Sequence, residues 1–321
     1  MIKIHKKPKL KNPIMIAAWP GMGNVALKAA TYLKDQLKAV EFAEIDMGDF
    51  FSPTEAQIDN GLLKMPAMPK GKFYFRENKT GKNDLVIFIS QAQPRPEKGY
   101  EYSKGVLEAA EKLKVDLIYT FAAMPLPIDH LKKPQVWAAA TEKKLIEQLK
   151  KIPLKIMTSG QISGLNGLFL AVAREQGFSG ICMLAEIPLY AIQIENPNAS
   201  LAILEVLTKL IDFKLDFTQL QASAKTMQEE IERLIEYLKT PEEELTKPIT
   251  EEEIEKIRKI LSSQDRLPDS AKKSIDEFFG LAKKDIKRAS ELKKELDKWG
   301  VYKQYEDRFL DLFKKSQRRS N

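Results

Sequence analysis

Cysteine and histidine are nearly missing from this 321-residue chain: Cys182 is the one thiol, and His5 and His130 are the two imidazoles. A lone cysteine excludes a disulfide within the chain, and two histidines far apart in sequence do not make a His-rich metal site. Neither a metal nor a cofactor is expected. Cys182 lies among Ile181, Met183 and Leu184, the surroundings of an inert thiol inside an apolar strand. A Ser-His-Asp triad would need His130 as its base, and no G-x-S-x-G elbow accompanies it.

Long apolar runs are also lacking. No segment approaches the ~20 apolar residues of a membrane helix, and the polar first eleven residues do not read as a signal peptide, so a cytoplasmic protein with no membrane partner is expected. Blocks of one charge are scarce: 52 basic and 45 acidic residues, a net charge of +7, are mixed along most of the chain. Only Lys3 to Lys11 and the stretch from Lys314 to Arg319 are plainly basic, and they read as solvated tails, with no nucleic-acid partner expected.

What is present is a sizeable apolar fraction, 43%, in a regular alternation of buried runs and amphipathic stretches. Ile14 to Ala18, then Trp19-Pro20-Gly21-Met22-Gly23-Asn24, then an amphipathic run from Val25 to Leu37 predict a buried strand, a tight turn and a helix. Further strands are expected at Val40 to Asp46, Phe73 to Phe75, Leu85 to Ile89, Asp116 to Phe121, Gln135 to Ala140, Leu154 to Met157 and Gly180 to Ile187. Helices are expected at Tyr100 to Lys114, after Thr141 as a cap, at Leu168 to Gln176 and after Asn196-Pro197. The alternation predicts an α/β fold with a doubly wound, mostly parallel sheet over residues 1–215. A C-terminal all-helical extension follows over 216–321. It opens with a coiled-coil-like seam at Leu220, Ala224, Met227, Ile231, Leu234 and Leu238, too short to stand alone. Between Phe50 and Lys72 an irregular apolar segment with Leu62, Leu63, Met65 and Met68 suits a hairpin or flap at the sheet edge, or a partner surface.

The candidate ligand-binding groups gather at predicted strand ends. Gly21-x-Gly23-x-x-Ala26 fits a loose dinucleotide fingerprint, with Glu44 or Asp46 where a ribose-binding acid is sought; glycines there serve a structural turn equally well. Asn24 belongs to the same turn. Ser163, Gly164 and Asn166 form a second glycine-rich turn that could aim backbone donors at the first, or could simply permit close packing. Gln91, with Gln93 and Arg95, follows a central strand, where a ligand-contacting loop and a solvated loop both fit. Glu186, with Tyr190 nearby, ends a buried strand, and could act on a ligand, cap a neighbouring turn or pair with Arg174. No catalytic set can be named.

Four stretches in this order and spacing resemble the PAC2 family: the W-P-G-M-G-N turn, Gly164-Leu165-Asn166-Gly167-Leu168, Glu186-Ile187-Pro188-Leu189-Tyr190, and Asn196-Pro197-Asn198-Ala199. The resemblance covers about Ile14 to Leu220. It implies a phosphorylase/hydrolase-like α/β fold, self-association and, in some members, a chaperone role in building proteasome rings. Some proteasome-docking proteins end in a hydrophobic-Tyr-any residue tail, whereas this sequence ends Arg318-Arg319-Ser320-Asn321, so docking by that route is not implied. Two functions fit the sequence: a non-catalytic binding or assembly protein with itself or proteasome subunits as partners, and a hydrolase- or ligase-type enzyme for a nucleotide or phosphorylated metabolite.

Overall fold

The computed structural model describes residues 2–46, 48–53, 56–79, 81–239, 269–285, 288–298 and 301–317. The sheet is organised around β2, Ile14–Ala18, whose five residues are all buried, as expected of a charge-free strand covered on both faces. It pairs in parallel with β7 (Leu85–Ser90) and β8 (Leu117–Leu126), and β8 pairs in parallel with β11 (Ser179–Pro188). This parallel centre carries the doubly wound α/β fold that the strand and helix alternation predicts.

The flanks are antiparallel. On one side β7 pairs with β6 (Lys70–Arg76), β6 with β3 (Val40–Asp46), and β3 with β1 (Ile2–Ile4). On the other, β9 (Val136–Ala140) runs against β11 and carries the two-residue β10 (Lys155–Ile156) in parallel. The nine strands therefore run in the order β1-β3-β6-β7-β2-β8-β11-β9-β10. Part of the predicted basic tail is thus a strand: Ile2 and Ile4 alternate with Lys3 and extend the sheet by three residues, too few to declare themselves in sequence.

Alternation along β2 divides the core. Ile14, Ile16 and Ala18 pack with α1 (Val25–Gln36), α3 (Lys143–Leu149) and α5 (Pro197–Leu207). Met15 and Ala17, with Trp19 just beyond the strand, pack with α2 (Gly99–Lys112) and α4 (Leu165–Glu175) on the opposite face. Both faces of the parallel centre are thereby kept from water, which its apolar strands require.

The predicted seam is one helix, α6 (Thr218–Lys239), and Leu220, Ala224, Met227, Ile231 and Leu234 are all buried. It lies on α5 and on the 189–194 segment, where Met227 and Ile231 meet Ala191 and Tyr190. Helices α7 (Asp269–Lys284), α8 (Ala289–Lys298) and α9 (Tyr302–Gln317) share a cluster of their own around Ile275, Phe279, Leu292, Leu296 and Phe309. Residues 240–268 of the predicted all-helical extension lie outside the described residues, as do residues 286–287, 299–300 and the last four. Among the described residues no helix is long and apolar enough to cross a membrane.

Two local expectations change. The strand expected at Asp116 to Phe121 continues to Leu126, because β11 pairs with it residue for residue as far as Pro188. Thr141 does not cap α3; its hydroxyl accepts a hydrogen bond from the Gly180 N–H at 2.8 Å and ties the end of β9 to the start of β11.

Candidate functional site

The carboxyl ends of β2, β7, β8 and β11 share one rim, where open α/β sheets place ligand-binding groups. After β2 the chain turns sharply through Gly21 into a short 3-10 turn, Met22–Asn24, and then α1. Gly23 has φ 59°, the left-handed region open to glycine, and a Cβ there would crowd the Asn196 Cβ and a Val25 methyl at 3.3 Å. Asn24, also left-handed at φ 47°, starts the helix, a position asparagine tolerates better than most residues.

The second glycine turn reaches the same rim by a longer route. β10 runs opposite to β2, and residues 157–164 carry the chain back before α4 begins at Leu165. Gly167 is required by space: a Cβ would lie 2.5 Å from the Ile162 carbonyl oxygen.

The polar groups of these turns bond to one another. The Asn166 carboxamide spans Trp19 in both directions, accepting from its N–H at 3.0 Å and donating to its carbonyl at 3.1 Å. Gln93, from the loop after β7, donates to the Pro20 carbonyl at 2.6 Å and accepts from the Leu165 N–H at 3.0 Å. Gly23 donates to the Ile192 carbonyl and accepts from the Asn196 N–H, both at 2.8 Å. Asn196 in turn caps α5 by accepting from the Ala199 N–H at 2.9 Å. The conspicuous sequence motifs thus form one interlocked corner, sealed by the buried Trp19 ring against Phe88 and Phe169.

Beside this corner lies a cleft of about 400 Å³ lined by Gly21, Met22, Gln93, Met124, Ser163 and Asn166, with Ser274, Glu277 and Glu295 from α7 and α8 also on its wall. Among the described residues it has two carboxylates and no basic side chain in its lining. Such a wall repels a phosphate instead of attracting it.

Of the predicted ligand groups, Gly21, Ser163 and Asn166 line the cleft, with Gly164 at the head of α4; the others are held elsewhere. Gly23 and Asn24 belong to the turn itself and are not in the cleft's lining. Gln91 accepts from the Lys70 N–H at 2.7 Å and fastens the ends of β6 and β7, and Arg95 reaches the Asp49 carbonyl at 3.3 Å. Glu186 is buried, accepting from Trp137 Nε1 at 3.0 Å and from the Gln135 N–H at 3.3 Å, which is the turn-capping role and not a pairing with Arg174. The Tyr190 hydroxyl meets the N–H and Nδ1 of His130 at 3.0 and 2.8 Å, and α6 covers that loop by donating from Gln228 to the His130 carbonyl.

The dinucleotide geometry does not form. In that fold the strand after the first helix lies beside the first strand, whereas here β6 and β7 separate β3 from β2, roughly 14 Å at usual strand spacing. Glu44 instead pairs with Lys70 at 3.0 Å, and that hydrogen bond holds its carboxyl below the usual range. The strand order could not be read from the sequence, so this outcome could not be foreseen. Cys182 is buried as expected, and burial pushes its thiol up to about 12.

One arrangement escaped the sequence reading altogether. His5, Glu41 and Glu44 bring their ligand atoms within 4.8 Å of one another at the sheet edge, a juxtaposition that only β1–β3 pairing creates. Both carboxylates are already paired, with Lys72 at 2.9 Å and Lys70 at 3.0 Å.

The uncharacterized protein MJ1210 of Methanocaldococcus jannaschii is 29% identical over 260 residues, 78% of this chain and 95% of its own length. The crystal structure of Pyrococcus furiosus PbaB, described as an archaeal proteasome activator, is 28% identical with a TM-score of 0.63, covering 74% of this chain and 98% of PbaB. P. furiosus PbaA, described as an archaeal homolog of proteasome-assembly chaperone, shares the fold at 24% identity and a TM-score of 0.57, over 74% of this chain and 92% of its own. The sequence profile of the PAC2 family matches residues 15–235, more than half of the sequence and all four motifs, and the chain belongs to that family.

Proposed function

We propose that this chain is a non-catalytic protein-binding member of its family that acts on proteasome subunits, in assembly or activation. The observation that carries the reading is the state of the rim: the amide side chains of Asn166 and Gln93 are taken up by Trp19, Pro20 and Leu165, and the lining of the cleft beside them holds, among the described residues, two carboxylates and no basic side chain. Likeness to PbaB over nearly the whole of that protein supports the proteasome as the partner. The enzyme reading rests on the cleft itself, whose volume would admit a small ligand, with Ser163 and Glu277 on its wall.

Native mass spectrometry of the purified full chain with proteasome core particles and free α subunits from the same source tests the proposal. A stoichiometric complex is expected. Absence of any complex, together with a nucleotide that raises the Tm of the wild type and not of Gly23→Val, would move the assignment to the enzyme.

A further inference from the structure

Among the described residues, the backbone of residues 158–163 makes no hydrogen bond, whereas Met157 just before it still donates to the Ala138 carbonyl at 2.8 Å. The stretch continues β10, which stands at the edge of the nine-stranded sheet, and Ser159 to Ser163 line the cleft beside the glycine corner. Main chain left unpaired at a sheet edge is a template for an added strand; backbone hydrogen bonds then give affinity and adjoining pockets give specificity. The rest of the cleft supplies such pockets. Its lining includes Met22, Met124 and Met157, unbranched thioethers that repack around differing apolar side chains. Its wall from α7 and α8 carries Glu277, exposed and with no hydrogen bond or ion pair among the described residues, and Glu295, which accepts from the Ser274 hydroxyl at 3.3 Å.

We propose that this cleft takes a short extended segment of a protein partner in which basic and apolar residues are interleaved. The main chain of the segment pairs with residues 159–163, its apolar side chains enter among the methionines, and a Lys or Arg reaches Glu277 and Glu295. The proposal rests on the protein-binding reading above and names the chemistry of what is bound. Three features select this occupant. A run of unpaired backbone groups asks for another extended main chain, which a lone ion or a folded surface does not offer. The lining holds two carboxylates and, among the described residues, no basic side chain, so its charge complements a cationic segment and opposes an acidic one. The volume of about 400 Å³ is that of a ligand pocket and admits a few side chains, not a domain. Asn166 and Gln93 keep their bonds to Trp19, Pro20 and Leu165, since the segment uses the loop beside the corner and not the corner itself.

Fluorescence anisotropy of labelled, acetyl-capped peptides with the full chain tests this without a proteasome. The probes are an alternating Lys–Leu peptide, the same peptide N-methylated along its backbone, and an alternating Glu–Leu peptide. The protein's net charge of +7 acts against the first and for the third, so selective uptake of Lys–Leu reports the cleft and not the overall field. Saturable binding of Lys–Leu is expected, weakened about 10-fold or more by N-methylation, by Glu277→Lys and by Ser163→Trp. Glu277 and Ser163 are exposed, and each variant is expected to keep the wild-type urea midpoint. No saturable binding, equal uptake of Glu–Leu, or binding untouched by both substitutions would overturn the proposal. So would Lys–Leu binding that appears only once residues 318–321 are removed, which would assign the cleft to this chain's own Arg318 and Arg319. A chain that forms the proteasome complex yet takes up no peptide would refute the segment and leave the proposed function standing.

Discussion

Asn166 has the most consequential side chain at the rim. It is buried, and its amide replaces a strand neighbour for Trp19, whose N–H and carbonyl have just left the sheet. Leaving both groups unpaired costs about 1–3 kcal/mol each, so Asn166→Ala is expected to lower unfolding stability by about 2–4 kcal/mol in urea denaturation. A ligand-facing asparagine would leave stability nearly unchanged. Gln93 does for Pro20 and Leu165 what Asn166 does for Trp19, from a loop 72 residues upstream of Leu165. Neither role could be read from the chain, because a polar residue near a glycine turn has the same sequence signature whether it faces a ligand or a carbonyl 147 residues away.

At the scale of elements, α6 is where helical periodicity and tertiary packing agree. Its apolar stripe is buried on the α/β layers, so Ile231→Ala, removing a side chain 1% exposed, is expected to cost about 2–4 kcal/mol, while the exposed Glu232→Ala stays within about 0.5 kcal/mol. Equal urea midpoints for the two variants would contradict this placement. The same contrast explains which elements were legible. Strands β2, β7, β8 and β11 declared themselves as continuous apolar runs, and α1, α2 and α5 as amphipathic ones, because each must bury a defined set of residues. β1 buries almost nothing, and the antiparallel direction of β9 depends on long-range pairing, so no local pattern encodes them, whereas the hairpin of β4 (Gln57–Asp59) and β5 (Leu62–Lys64) falls in the segment where a hairpin or flap is expected. In the candidate site the glycine corners were visible as motifs. Their bonding to each other was not.

For the whole molecule, the layered sheet explains why separated motifs act as one. Parallel strands deliver Trp19, Gln93 and Pro188 to the same rim, and α4 and α5 begin there, so the chain closes a hydrogen-bonded corner over an apolar ring cluster. A corner so closed is rigid support for surfaces elsewhere on the molecule and is poorly suited to receiving a charged ligand. Amide hydrogen exchange on the ligand-free full chain tests this most directly, by reading the N–H groups of Trp19, Gly23 and Leu165. The account predicts that all three exchange as slowly as the interior of β2. Exchange at the rate of exposed loops would show turns standing open for a ligand, and would contradict it.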